Sequence, residues 1–208
     1  IVRRAVGLTT VSEPWAVTFR ERYSKPVAVV PNGYDVEDFH GTIGEGWPDP
    51  DVLRIGYTGG IYPGYRDPTP LFRAIGDHPE LKGRVEVHFY GSDPSFVSAL
   101  AHRHGVDESI FIHDRINHDK ALKIQQASDI LLLMQWDNPR EQGNVPGKLA
   151  EYFGARRPIL VLGLDDGVPA TEVRKRSAGM ATTDPVAIAA WLQECLAKKR
   201  RMGKLPPL

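Results

Sequence analysis

The residues best suited to chemistry lie in Pro146-Gly147-Lys148-Leu149-Ala150-Glu151-Tyr152. This segment reads as a helix opening at Pro146, after a long polar loop over 135–145. A helix N-terminus offers unpaired N–H donors and partial positive charge, so it suits a diphosphate. Lys148 stands in the first turn, where a cation opposes the helix dipole. A bound anion would resolve that conflict. Glu151 follows three residues later on a neighbouring face, where its carboxylate can accept both hydroxyls of a ribose diol. The same spacing also makes an ordinary surface ion pair, and spacing alone leaves both readings open. The backbone of Gly143, Asn144, Val145 and Pro146, just ahead of the helix, completes this candidate anion site.

A second group comes after an apolar run at 53–57. It reads Thr58-Gly59-Gly60-Ile61-Tyr62-Pro63-Gly64-Tyr65-Arg66-Asp67. Glycines let a backbone approach a ligand closely, and Arg66 can fork onto a phosphate. A flexible surface loop with a solvated arginine fits the same letters. The loop is not a P-loop, because no Gly-Lys-Ser/Thr ends it, and no Gly-x-Gly-x-x-Gly run opens a helix. Gly91 permits a tight turn after the run at 85–90, with Ser92 or Asp93 able to cap the next helix. Arg115 and Ile116, after the run at 110–113, can face a nucleotide base, with Asn117 capping the helical stretch at 118–127.

These residues need a frame, and the apolar pattern supplies one. Short apolar, β-rich runs lie at 27–30, 53–57, 85–90, 110–113, 130–134, 158–162 and, more weakly, 179–182, and several are apolar at nearly every position, as in strands covered on both faces. Helical stretches alternate with them at 14–23, 70–76, 95–104, 118–127, 146–153, 168–176 and 184–200. Ser12 is the expected cap of the first, and Gly154 the expected stop of the fifth. In the helix at 118–127, Ala121, Leu122, Ile124 and Gln125 recur at helical spacing. Such alternation predicts an α/β fold, a doubly wound parallel sheet of about six to seven strands with helices on both faces. Ligands of such sheets bind beyond the carboxyl ends of the strands, where all the candidates above fall. The Gly/Pro-rich stretch at 40–51 is the best linker candidate.

The chain has 208 residues, 41% hydrophobic and 25% charged, with a formal net charge of zero. That balance argues against binding nucleic acid through bulk electrostatics. The run 198–201, Lys-Lys-Arg-Arg, reads as a solvated helix end. One cysteine, Cys195, excludes an internal disulfide and fits a reducing compartment. The seven histidines are scattered, and no metal site is expected. No apolar run approaches a membrane span, and no signal peptide is apparent. The chain starts with Ile1 and enters mid-pattern, as a fragment lacking an N-terminal part, or a processed chain, would.

The residues also resemble a family. Val27 to Phe39 reads VAVVPNGYDVEDF, similar to the "viPNGvD…F" segment that opens the C-terminal domain of retaining GT-B glycosyltransferases of the group 1, or family four, class. Ile55 to Gly59 resembles that family's strand and glycine loop. Pro146 to Leu160 resembles its "P-x-K-x-x-E-Y-x-a-x-x-x-P-i-l" segment. The likeness runs from about Thr10 to the last helix. It implies a Rossmann-like domain at 25–208 that binds a nucleoside-diphosphate sugar, UDP- or GDP-linked, with 1–24 as the end of a preceding domain or a linker helix. It implies retaining transfer to a glycan, lipid or other acceptor held mainly by the missing domain, with no added cofactor or metal. By family pattern Glu151 holds the ribose and Arg66 and Lys148 the phosphates. Gly59, Gly60 and Gly91 then line the site, and Arg115-Ile116 the base. The family expectation extends to polysaccharide biosynthesis, a cytoplasmic location and peripheral association of the full-length protein with the inner face of a membrane. One position departs. Where many relatives carry a glutamate on the donor sugar, eight residues before the ribose-binding one, this chain has Gly143, and the nearest acid is Glu141. The alternatives are a GT-B type nucleotide-sugar epimerase, for which no paired acid–base set is visible, and a non-catalytic nucleotide-binding module.

Overall fold

The computed structural model describes residues 2–39 and 49–208. Two strands, β1 (Leu8–Thr10) and β2 (Val27–Val29), pair in parallel with each other, joined through helix α1 (Glu13–Tyr23). Six more form the main sheet: β3 (Leu53–Thr58), β4 (Val85–Tyr90), β5 (Ile110–His113), β6 (Ile130–Met134), β7 (Ile159–Leu162) and β8 (Gly179–Ala181). All are parallel, in the spatial order β5-β4-β3-β6-β7-β8. The run at 27–30 therefore pairs with β1 instead of joining the main sheet. β1, at three residues, is too short to carry a periodic signal. The linker candidate at 40–51 falls largely outside the described residues.

The apolar runs are strands because helices cover both faces. Leu132 and Met134 belong to a core shared with α2 (Thr69–Gly76), α3 (Pro94–His104) and α7 (Pro185–Met202). Leu131 and Leu133 belong to a core shared with α5 (Gly147–Ala155) and α6 (Val168–Lys175). The remaining helix, α4 (His118–Ala127), packs on β3 and α5. Each fully buried Leu or Ile contributes about 2 kcal/mol, and β6 is buried along its whole length.

This order places a topological switch between β3 and β6. The chain leaves β3 through α2 toward β4, and leaves β6 through α5 toward β7, so a crevice opens above Thr58 and Met134. Gly56 in β3 lets the end of α4 sit against the strand, because a Cβ there would lie 2.3 Å from Ser128 Oγ. A Gly56→Val variant is expected to lose about 1–3 kcal/mol of stability through overpacking. Chemical denaturation measures this, and an unshifted midpoint would contradict the packing described.

Capping follows the residue types in three helices. Asp93, Asn117 and Asp184 accept backbone N–H groups at the starts of α3, α4 and α7. Three expectations are corrected. Ser12 makes no capping bond and instead donates to the Gly143 carbonyl at 2.6 Å. Gly154 does not end α5, which closes on Arg156 in a left-handed conformation. Its missing side chain leaves room for the rings of Tyr34 and Phe39, atoms of which lie 2.6–2.9 Å from where a Cβ would stand. The basic run is not wholly solvated either. Lys199 is fully buried, donating to Asp129 Oδ2 at 2.7 Å and to the Val52 carbonyl at 2.6 Å.

Candidate functional site

A cleft of about 430 Å³ lies over the carboxyl ends of β3 and β4, walled by the glycine loop, the start of α4 and the start of α5. The loop is fixed by its carbonyls. Lys148 Nζ donates to the Thr58 carbonyl at 2.7 Å, and Ser92 Oγ to that of Gly59 at 3.0 Å. The Gly60 carbonyl receives Tyr57 Oη at 3.0 Å and Arg66 at 2.9 Å. Acceptors that would repel an anion are thus already engaged. Gly59 has φ +131°, a conformation that favours glycine, and a Cβ on it would lie 2.8 Å from Lys148 Nζ.

Lys148 is the electrostatic centre. It is half-buried, its ammonium 4.2 Å from the centre of the Tyr57 ring. Burial, and secondarily the nearby Arg66 guanidinium, lower its pKa to about 8 against a partial opposing effect of Glu151. Among the described residues neither Lys148 nor Arg66 has a carboxylate ion-pair partner, so the surface ion pair between Lys148 and Glu151 does not form. Helix α5 starts beside them with no side-chain cap and no acid in its first turn. Two cations near an uncapped helix N-terminus can attract an anion.

Glu151 is turned toward α4. Its Oε2 accepts from Gln125 Nε2 at 2.9 Å, and its Oε1 lies 3.2 Å from His118 Nε2. Gln125 is 1% exposed and its amide also donates to Thr58 Oγ1 at 3.1 Å. One buried amide therefore ties β3, α4 and α5 together beneath the carboxylate. Sequence reasoning placed Gln125 only on a helical stripe. The signal available was an amide among Ala121, Leu122 and Ile124, where an aliphatic side chain would serve packing alone.

A second cleft of about 320 Å³ adjoins the first, with Tyr62 bordering both. It collects Arg66, Asn144 and Pro146, together with Tyr65, Trp136 and Glu141. Gly143 stands apart from both clefts. It is buried beneath Trp15, whose Cδ1 would lie 2.2 Å from a Cβ at that position. Among the described residues no group of three or more His, Cys, Asp or Glu side chains is arranged to hold a metal ion, and no helix is long and apolar enough to cross a membrane.

No family model matches the chain and no curated protein matches its sequence. Solved structures do. A glycosyltransferase from Rickettsia africae superimposes with a TM-score of 0.69 at 15% identity, over 94% of this chain and 55% of its own. HepE from Anabaena, in complex with UDP, gives 0.69 at 14%, over 97% and 57%. Sucrose-phosphate synthase from Thermosynechococcus elongatus gives 0.69 at 15%, over 98% and 53%. The fold is that of a GT-B C-terminal domain. The chain spans little more than half the length of these GT-B neighbours.

On this GT-B frame the expected residues divide in three. Gly59, Gly60, Gly91, Arg115, Ile116, Lys148 and Glu151 border the first cleft. Arg66, Asn144 and Pro146 border the second. Gly143 and Val145 border neither. The Val145 carbonyl accepts from Asn32 Nδ2 at 3.1 Å, which ties the Pro-Asn-Gly segment to the loop before α5. At these two positions the backbone carbonyl is engaged within the chain, by Ser12 at Gly143 and by Asn32 at Val145.

Proposed function

We propose that the chain is the donor-binding half of a glycosyltransferase, and that its first cleft takes the nucleoside diphosphate of a sugar donor. The observation that carries this reading is the Lys148 ammonium, half-buried beside Arg66 at the uncapped start of α5 with no carboxylate partner among the described residues. The diphosphate lies between Lys148, the glycine loop and the α5 N-terminus. The ribose diol meets Glu151, and the base lies toward Arg115 and Ile116. When the glycosidic bond breaks, negative charge grows on the diphosphate leaving group, and fixed cations and helix N–H groups stabilise it without reorganising. Residues 25–208 form the donor domain, and 1–24 are the end of a preceding one or a linker helix. Transfer proceeds with retention, to an acceptor held mainly by a preceding domain, so the 208-residue chain binds donor but catalyses little. The full-length enzyme works in the cytoplasm, in polysaccharide assembly at a membrane face. Solved GT-B neighbours of about twice the length, one of them holding UDP, support this reading.

Calorimetric titration with UDP, GDP and their hexose conjugates tests it. Saturable one-site binding of at least one nucleotide is expected, and binding of none would refute the proposal. The pH dependence is specific. A diphosphate beside Lys148 favours its charged form, so binding takes up a proton near pH 8. Affinity for a UDP-hexose, whose diphosphate stays ionised throughout, falls as pH rises through about 8, where the free protein loses that charge. Equal affinity at pH 7 and pH 9.5 would remove Lys148 from the site.

A further inference from the structure

Helix α5 does not set its own start. It opens on Pro146 with no side-chain cap, and the loop before it is hung by its carbonyls from three other elements. The Gln142 carbonyl accepts the Val168 amide, at the start of α6, at 3.0 Å. The Gly143 carbonyl accepts Ser12 Oγ at 2.6 Å, and that of Val145 accepts Asn32 Nδ2 at 3.1 Å. Trp15 adds a wall, since atoms of its indole stand 2.2–2.7 Å from where a Cβ on Gly143 would lie. Ser12 and Asn32 come from one place in the fold. Ser12 lies just beyond the end of β1 and Asn32 just beyond the end of β2, so the carboxyl end of the small sheet holds the entry to α5. Ser12, Asn32, Val145 and Val168 border a third cavity, of about 400 Å³, which shares no lining residue with the two clefts. The carbonyls are therefore drawn to the side of the loop away from the first cleft. A carbonyl swung back toward that cleft would present partial negative charge to an anion and oppose the N–H donors of the helix start.

Resting on the donor-site reading above, we infer that Ser12 and Asn32 are positioning residues for the diphosphate. They touch no ligand themselves. They fix the direction in which the first amides of α5 point. The β1–α1–β2 unit is then part of the donor site, although none of its residues borders either cleft. The nucleoside end depends on other supports, because Gln125 holds the Glu151 carboxylate from α4. Loss of either carbonyl bond therefore weakens contacts to the diphosphate and spares those to the nucleoside.

The test compares nucleoside diphosphate with nucleoside on the 208-residue parent, Ser12→Ala, Asn32→Ala and Asn32→Asp. UDP and GDP are titrated by calorimetry, and uridine and guanosine by ligand-observed NMR. For the base the parent prefers, Ser12→Ala and Asn32→Ala are each expected to weaken the diphosphate about fivefold, as loss of one neutral hydrogen bond implies, while the nucleoside stays within about twofold. Asn32→Asp keeps the shape of the side chain but cannot donate, so it should weaken the diphosphate at least as much as Asn32→Ala. Asn32 is exposed, so its variants keep the test valid if Ser12→Ala, at a buried position, disturbs the fold. Unchanged diphosphate affinity in Asn32→Ala, or equal weakening of diphosphate and nucleoside, overturns the positioning role alone. No binding of any nucleotide to the parent overturns the donor-site reading and the positioning role with it.

Discussion

Replacing Lys148 with Met is expected to abolish most nucleotide binding and, in the same protein, to raise the melting temperature without ligand. The two effects share one cause. Truncating one partner of a buried, hydrogen-bonded charge pair costs about 3 kcal/mol, roughly a 150-fold loss of affinity. Without the anion, however, the ammonium is a desolvated charge whose hydrogen-bond partner is the neutral Thr58 carbonyl. Methionine fills similar space with no charge to desolvate, so stability should rise by about 1–2 kcal/mol. The folded pKa of about 8 lies below the ordinary lysine value of 10.5, so the unfolded chain holds the proton more tightly. The penalty on the parent is therefore complete below pH 8 and fades as pH rises toward 10.5. The melting difference between variant and parent should narrow over that window. A variant that melts lower than its parent at pH 7 would show that Lys148 is a structural residue.

The second large effect belongs to Glu151. A carboxylate that accepts the ribose diol must discriminate ribose from 2′-deoxyribose. Glu151→Ala is expected to weaken the ribonucleoside diphosphate about 30-fold, as loss of hydrogen bonds to a charged group at about 1.5–3 kcal/mol implies. It should leave the 2′-deoxy compound much less affected. Gln125→Leu should move in the same direction by about tenfold, without touching ligand, because the amide that aims the carboxylate is gone. Its cost to folding is moderated, since Gln125 Oε1 is buried with no partner among the described residues and leucine removes that orphan. Retained ribose preference in Glu151→Ala would reassign the carboxylate to holding α4 and α5 together.

Much of this was legible in the residues. The parallel sheet followed from runs such as Ile130–Met134, apolar at every position, and the caps Asp93 and Asn117 from their chemistry. The cleft wall of Gly59, Lys148 and Glu151 followed from strand-end logic. The remainder depended on distance through space. Gly143 read as part of a polar loop, but Trp15, far earlier in the chain, occupies its side-chain space. Ser12 looked like a cap, but the Gly143 carbonyl is the better acceptor within reach. Lys199 looked like a solvated helix end, yet Asp129 and the Val52 carbonyl meet it inside. Gln125 looked like part of a stripe because its partners, Thr58 and Glu151, lie on two other elements. Local pattern reports which face a residue occupies, whereas these four depend on what faces it.

The most direct test is a crystal structure of the 208-residue chain grown with the sugar nucleotide it binds best. The diphosphate is expected within hydrogen-bonding distance of Lys148 Nζ and the first amides of α5, with the ribose hydroxyls on Glu151. A nucleotide bound elsewhere, with Lys148 still donating only to Thr58 and the crevice between β3 and β6 filled by solvent, would refute a donor site at the start of α5.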